Sequence, residues 1–146
     1  MLREVSAGGV VVRRLRGRWM LAAIRPGGKP PGTWALPKGL VGAGERADAT
    51  ALREVAEETG VEAKLVAKLG DVRYVYTRGG QRIFKVVSFF LLRYRRGRLG
   101  DVPAAFRHEV AEARWLPLEE APTLLAYGGE REMAERALAA LSADTL

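Results

Sequence analysis

"GLVGAGERADATALREVAEETGV", residues 39–61, decides how this chain is read. Its opening holds Gly39, Gly42 and Gly44 ahead of Glu45, the composition of a loop. From Arg46 to Thr59 the pattern turns helical. Ala47, Ala51, Leu52, Val55 and Ala56 form an apolar stripe, and Gly60 stands where a helix stop belongs. The polar side gathers Glu54, Glu57 and Glu58 within one turn or so. Like charges three and four apart on a helix repel, costing roughly 0.2–0.5 kcal/mol per pair. Such a cluster is either a solvated acidic face or the frame for something positive. Hard divalent cations such as Mg²⁺ take oxygen ligands and keep several waters, so glutamates from one helix turn serve them without a closed cage. Glycines ahead of the helix let backbone come close to a ligand.

Outward from this stretch the chain alternates strands and helices. "SAGGVVVRR" (6–14) and "RWMLAAIR" (18–25) read as a hairpin turning at Arg16–Gly17. Residues 26–45 are rich in Gly and Pro and read as a long loop, with a short strand expected at Trp34–Leu36. Long loops in small domains are often functional. "EAKLVAKLGDVRYVYTR" (62–78) reads as one or two strands, "GG" at 79–80 as a hairpin turn, and "RIFKVVSFFLLRYRR" (82–96) as a long, mostly buried strand. Gly97 to His108 is polar loop; "EARWLPL" (112–118) is a strand ending at Pro117. "LEEAPTLLA" (118–126) and "EREMAERALAALSA" (130–143) read as a short and a longer helix. The order predicts an α/β fold, a central mixed sheet sandwiched by helices, in a single domain over 1–146.

Composition narrows the class. The 146 residues are 48% hydrophobic and 28% charged, an ordinary globular balance. With no cysteine, disulfides, thiolate metal sites and a cysteine nucleophile are excluded. No apolar run approaches the ~20 residues of a membrane span. The N-terminus lacks the basic start, apolar stretch and cleavage site of a signal peptide, so a cytoplasmic location is expected. The net charge of +7, mostly from arginine, suits polyanionic ligands such as nucleotides or polyphosphates. The basic run "RYRRGR" (93–98) reads as a charged hairpin end: no aromatic platform or RNA module is evident beside it, so a nucleic-acid partner is not called for. The sequence leaves monomer and homodimer open.

The spacing of the central stretch carries a resemblance. Gly39, five residues, Glu45, seven residues, then Arg53-Glu54-Val55, Glu57-Glu58 and Gly60-Val61 resemble the box of the Nudix hydrolase superfamily, with all nine specified positions filled. "AGGVVV", "WALPKG" and "EARWLPLEEA" resemble the flanking segments, so the likeness runs over about 5–142. It implies the Nudix α/β/α sandwich and Mg²⁺-dependent (or Mn²⁺-dependent) pyrophosphohydrolysis. It implies that Glu54, Glu57 and Glu58, with the carbonyl of Gly39, are metal ligands, one glutamate doubling as base. Glu45 and Arg53 become an ion pair that orients them. Gly42 stands where relatives often carry an acid, though not at a fixed position.

Substrate choice rests on weaker signals. "LPKG" (36–39) looks like the version in diadenosine polyphosphate hydrolases and inositol-pyrophosphate relatives, with Lys38 on a phosphate. Arg25 and Lys29 are further candidates, and Lys85 lies in a strand where such relatives place a basic residue. Tyr74 and Tyr76 share a strand face and are expected in the core or on the sheet surface, with a base-stacking wall as the alternative; Tyr127, in a loop, is the better stacking candidate. Glu109, then Glu112, are candidates for an added acid before the last strand. His108, the one histidine, is a candidate phosphate contact or proton donor. The expected reaction is cleavage of a nucleoside diphosphate linked to another moiety, foremost a diadenosine polyphosphate. Oxidised dNTPs, ADP-ribose and RNA 5′ ends are alternatives, and a nucleotide sensor without turnover is the reading from another class.

Overall fold

The computed structural model describes residues 1–143; the last three residues of the expected 1–146 domain lie outside it. β1 (Leu2–Leu15) and β2 (Arg18–Pro26) form the expected hairpin, and β3 (Lys38–Leu40) follows the long loop. Then come α1 (Ala47–Thr59), β4 (Glu62–Arg78), β5 (Gln81–Arg96), β6 (Val110–Pro117), α2 (Ala121–Leu124) and α3 (Gly128–Ala143). The sheet runs β4-β5-β1-β2-β6, with β3 added antiparallel to β1. β1 and β5 pair in parallel while the other neighbours are antiparallel, so the sheet is mixed, as expected.

Alternation along β1 builds two cores. Val10 and Val12 face one side, with Leu21, Phe89, Leu91 and Met133. Ala7 and Val11 face the other, with Val55, Phe90 and Leu92. Thus α3 covers one face and α1 the other. Gly60 ends α1 as expected: its φ of 79° lies in the left-handed region, and its N–H returns to the Ala56 carbonyl at 3.0 Å.

Two expectations need correction. The short strand falls at Lys38–Leu40, not Trp34–Leu36. Trp34 and Ala35 make only isolated bridges, Pro37 has no N–H to give, and the Leu36 N–H is taken by the Glu130 carboxylate at 2.7 Å. The last strand begins two residues earlier than expected, at Val110, and Glu112 stands opposite Arg25. The basic run does end a strand: Arg96 Nε holds Glu62 at 2.9 Å. Aromatic rings do stand near it, however, with the Arg93 guanidinium 5.9 Å from the Trp19 ring. No helix among the described residues is long and apolar enough to cross a membrane.

Candidate active site

The acidic turn of α1 is organised around one arginine. Arg53 Nε and Nη2 grip both oxygens of Glu45, at 2.8 and 2.9 Å. Its Nη1 reaches Glu54 at 3.0 Å and Glu57 at 3.0 and 3.1 Å. Nη2 also donates to the Leu40 carbonyl at 3.1 Å, tying helix to loop. Glu45 further accepts from the Thr50 hydroxyl at 2.6 Å and the Gly42 N–H at 3.0 Å. The Arg53 bonds, helped by Thr50 and Gly42, hold the Glu45 carboxyl far below the usual range. Arg53 therefore supplies the positive charge that lets the cluster form.

Glu54 and Glu58 are both buried. Burial, reinforced by the charge of Glu57, pushes Glu54 up, although Arg53 opposes it. Burial pushes Glu58 to about 8, opposed by the Lys38 N–H that donates to its Oε1 at 3.2 Å. The Glu109 carboxylate adds a smaller push upward to both. Gly39 packs directly against Glu54: an added Cβ would stand 2.2 Å from the carboxyl carbon. Only glycine leaves room for the carboxylate there.

Among the described residues no three acids converge as a ready-made metal cluster. Arg53 Nη1 stands between Glu54 and Glu57. The donor set nonetheless fits a hard divalent cation: carboxylate oxygens, short of positive charge at Glu54 and Glu58, beside a backbone cradle.

A cleft of about 720 Å³ opens on the α3 face of the sheet, between β4, β5 and the start of α3. Lys38, Tyr74, Tyr127 and Glu130 are among its lining residues; none of the box glutamates is. Lys38 joins the two regions, its N–H on Glu58 and its side chain in the cleft. Its Nζ lies 2.8 Å from Glu130 and 5.9 Å from the Tyr127 ring centroid. Burial works against the charge of Lys38, but Glu130, with Glu58 beyond, outweighs it and lifts the ammonium above its ordinary range.

Other candidates separate. Tyr74 is exposed on the sheet, as one of its expected placements had it, and lines the cleft. Tyr76 is half-buried, its hydroxyl bonded to Glu4. Lys85, opposite Tyr74 and Glu4, shares the cleft face; burial lowers it, while Glu4, 3.8 Å away, opposes. Arg25 is engaged with Glu112 at 3.4 Å and the Lys29 carbonyl at 3.0 Å. His108 is exposed, 3.8 Å from Glu109. None of Lys85, Arg25, Lys29 and His108 lines the cleft. Sequence reasoning missed Glu130, whose one local signal is its place in the first turn of α3.

The family model described as NUDIX domain matches residues 2–137, and the chain belongs to that family. It is 41% identical over 138 residues to a Mycobacterium tuberculosis protein provisionally named mutator protein MutT4, covering 92% of this chain and 54% of that protein. The chain thus spans about half the length of that relative. It is 31% identical over 137 residues to the RNA pyrophosphohydrolase of Erythrobacter litoralis, covering 85% of this chain and 82% of that protein. The crystal structure of a C. elegans Ap4A hydrolase binary complex superposes with a TM-score of 0.74 at 24% identity, covering 97% of this chain and 99% of that one, which establishes the shared fold.

Proposed function

We propose that this chain is a divalent-metal-dependent pyrophosphohydrolase that cuts a phosphoanhydride in a nucleoside diphosphate linked to another moiety, with a diadenosine polyphosphate as first substrate. The observation that carries the reading is the acidic turn around Arg53, set against the Gly39 cradle and joined through Lys38 to a cleft of nucleotide size. Glu54, Glu57, Glu58 and the Gly39 carbonyl would hold Mg²⁺, with Mn²⁺ as substitute. A divalent cation there supplies acidification of water and charge neutralisation on the phosphates.

The chain's own residues do the rest. Arg53 fixes the carboxylates relative to one another and, through Glu45 and the Leu40 carbonyl, relative to the loop. Glu109 and the buried Glu58 are the candidates to accept a proton from water. Lys38 offers an N–H to a phosphate oxygen. Tyr127 and Tyr74, each about 40% exposed in the cleft, offer ring faces to a base. Lys85 adds positive charge behind Tyr74. Arg25 and His108, outside the cleft lining, carry no assigned contact.

A retained full set of box glutamates favours an enzyme over a sensor. The name of the Erythrobacter relative keeps RNA 5′ ends as the second reading. Product analysis with Mg²⁺ tests both, using Ap4A, Ap6A, 8-oxo-dGTP, ADP-ribose and a 5′-triphosphate RNA, each with an EDTA control. ATP released from Ap4A or Ap6A, abolished by EDTA, is the expected result. Turnover of another member alone would replace the substrate, and binding without turnover throughout would refute the enzyme.

A further inference from the structure

Glu130 is 5% exposed at the start of α3, in the cleft. One oxygen accepts the Leu36 N–H at 2.7 Å across 94 residues of sequence. The other sits 2.8 Å from Lys38 Nζ, which also donates to the Leu36 carbonyl at 3.3 Å. An ammonium has three donors, so these two contacts leave one for a ligand. The carboxylate is pinned by Leu36 and does not follow Lys38 elsewhere. A fixed negative charge thus stands beside the lysine expected to meet phosphate.

We infer that Glu130 sets the phosphate-chain specificity of this site, by pairing with Lys38 and leaving it one directed N–H with little net charge. The inference rests on the pyrophosphohydrolase reading. A free lysine attracts a polyphosphate in proportion to its charge. A lysine already paired adds one oriented bond and little attraction. The site then rewards a substrate that places one oxygen at that N–H, rather than the substrate with the most phosphates. Glu130 does not touch the reacting atoms; it is a positioning residue acting through Lys38.

The test is displacement of a fluorescent ATP analogue by inorganic pyrophosphate, tripolyphosphate and tetrapolyphosphate, in EDTA. Glu130→Gln keeps an oxygen for Leu36 and removes the charge. It should tighten tripolyphosphate by about fivefold to tenfold, more for tetrapolyphosphate and less for pyrophosphate. Lys38→Met should weaken the same ligands by a similar factor, and the double variant should stay within about threefold of Lys38→Met, because Glu130 acts through Lys38. With Mg²⁺, Glu130→Gln should lower KM for longer chains and leave kcat within about threefold. A merely structural tie between α3 and the loop would instead weaken every ligand alike. That result, or a double variant that keeps the full Glu130→Gln gain over Lys38→Met, overturns the inference. Should Glu130→Gln not fold, Glu130→Asn, which also removes the charge, carries the same comparison. Wild type that neither binds these probes nor turns over any substrate refutes the pyrophosphohydrolase reading instead.

Discussion

Replacing Glu58 with glutamine should stabilise the metal-free protein, and the gain should grow with pH. Glu58 is 9% exposed, and burial raises its carboxyl from 4.5 to about 8. Below pH 4.5 both folded and unfolded states hold the proton, and there is no penalty. Between 4.5 and 8 the folded state binds the extra proton, so wild-type stability falls as pH rises through that window. Above 8 the full cost of a buried carboxylate is present. One unit is worth 1.36 kcal/mol, which bounds the cost at about 5 kcal/mol. Water at the helix edge and rearranging neighbours bring the expected gain to about 2 kcal/mol. For a chain of this length that is roughly 4–8 °C in Tm. Glutamine keeps an oxygen for the Lys38 N–H, so the local bond survives. Thermal melts of wild type and Glu58→Gln in EDTA, from pH 5 to 9, should coincide at the acid end and diverge toward pH 9. A difference constant with pH, or a less stable variant at pH 9, would refute the burial argument.

Gly39→Ala should cost about 1–3 kcal/mol and at least about 100-fold in kcat, because a Cβ would collide with the Glu54 carboxyl; unchanged activity at unchanged Tm would contradict the cradle. Arg53→Lys cannot span Glu45, Glu54, Glu57 and the Leu40 carbonyl together, so melts should show a loss of about 2 kcal/mol and kinetics at least a tenfold drop in kcat. Tyr127→Ala should raise KM for a dinucleotide about tenfold while kcat holds, as loss of one stacking face requires; an effect on kcat alone would remove Tyr127 from the binding surface.

The helix and its carboxylates were legible because their information is local. Spacing from Gly39 to Val61 places a stripe, a cap and three acids on one helix, and α1 runs one residue short of expectation. The β4–β5 hairpin was equally readable from Gly79–Gly80 between two apolar runs. What sequence did not reveal depends on contacts far apart along the chain. The parallel pairing of β1 with β5 joins Leu2 to Ile83, and no local pattern encodes it. β3 moved because Glu130, 94 residues on, claims the Leu36 N–H that a strand there would need. Tyr74 became a cleft residue because α3 begins beside it instead of covering it. Arg25, basic and near the loop, looked available for phosphate until β6 set Glu112 opposite it.

The central claim is that Glu54, Glu57 and Glu58 jointly hold a divalent cation. Mn²⁺ titration followed by electron paramagnetic resonance, on wild type and on Glu57→Gln, tests it without any substrate. Saturable Mn²⁺ binding by wild type, weakened at least about tenfold by Glu57→Gln at unchanged fold, is expected. Equal binding by the two proteins, or none by wild type, would contradict it.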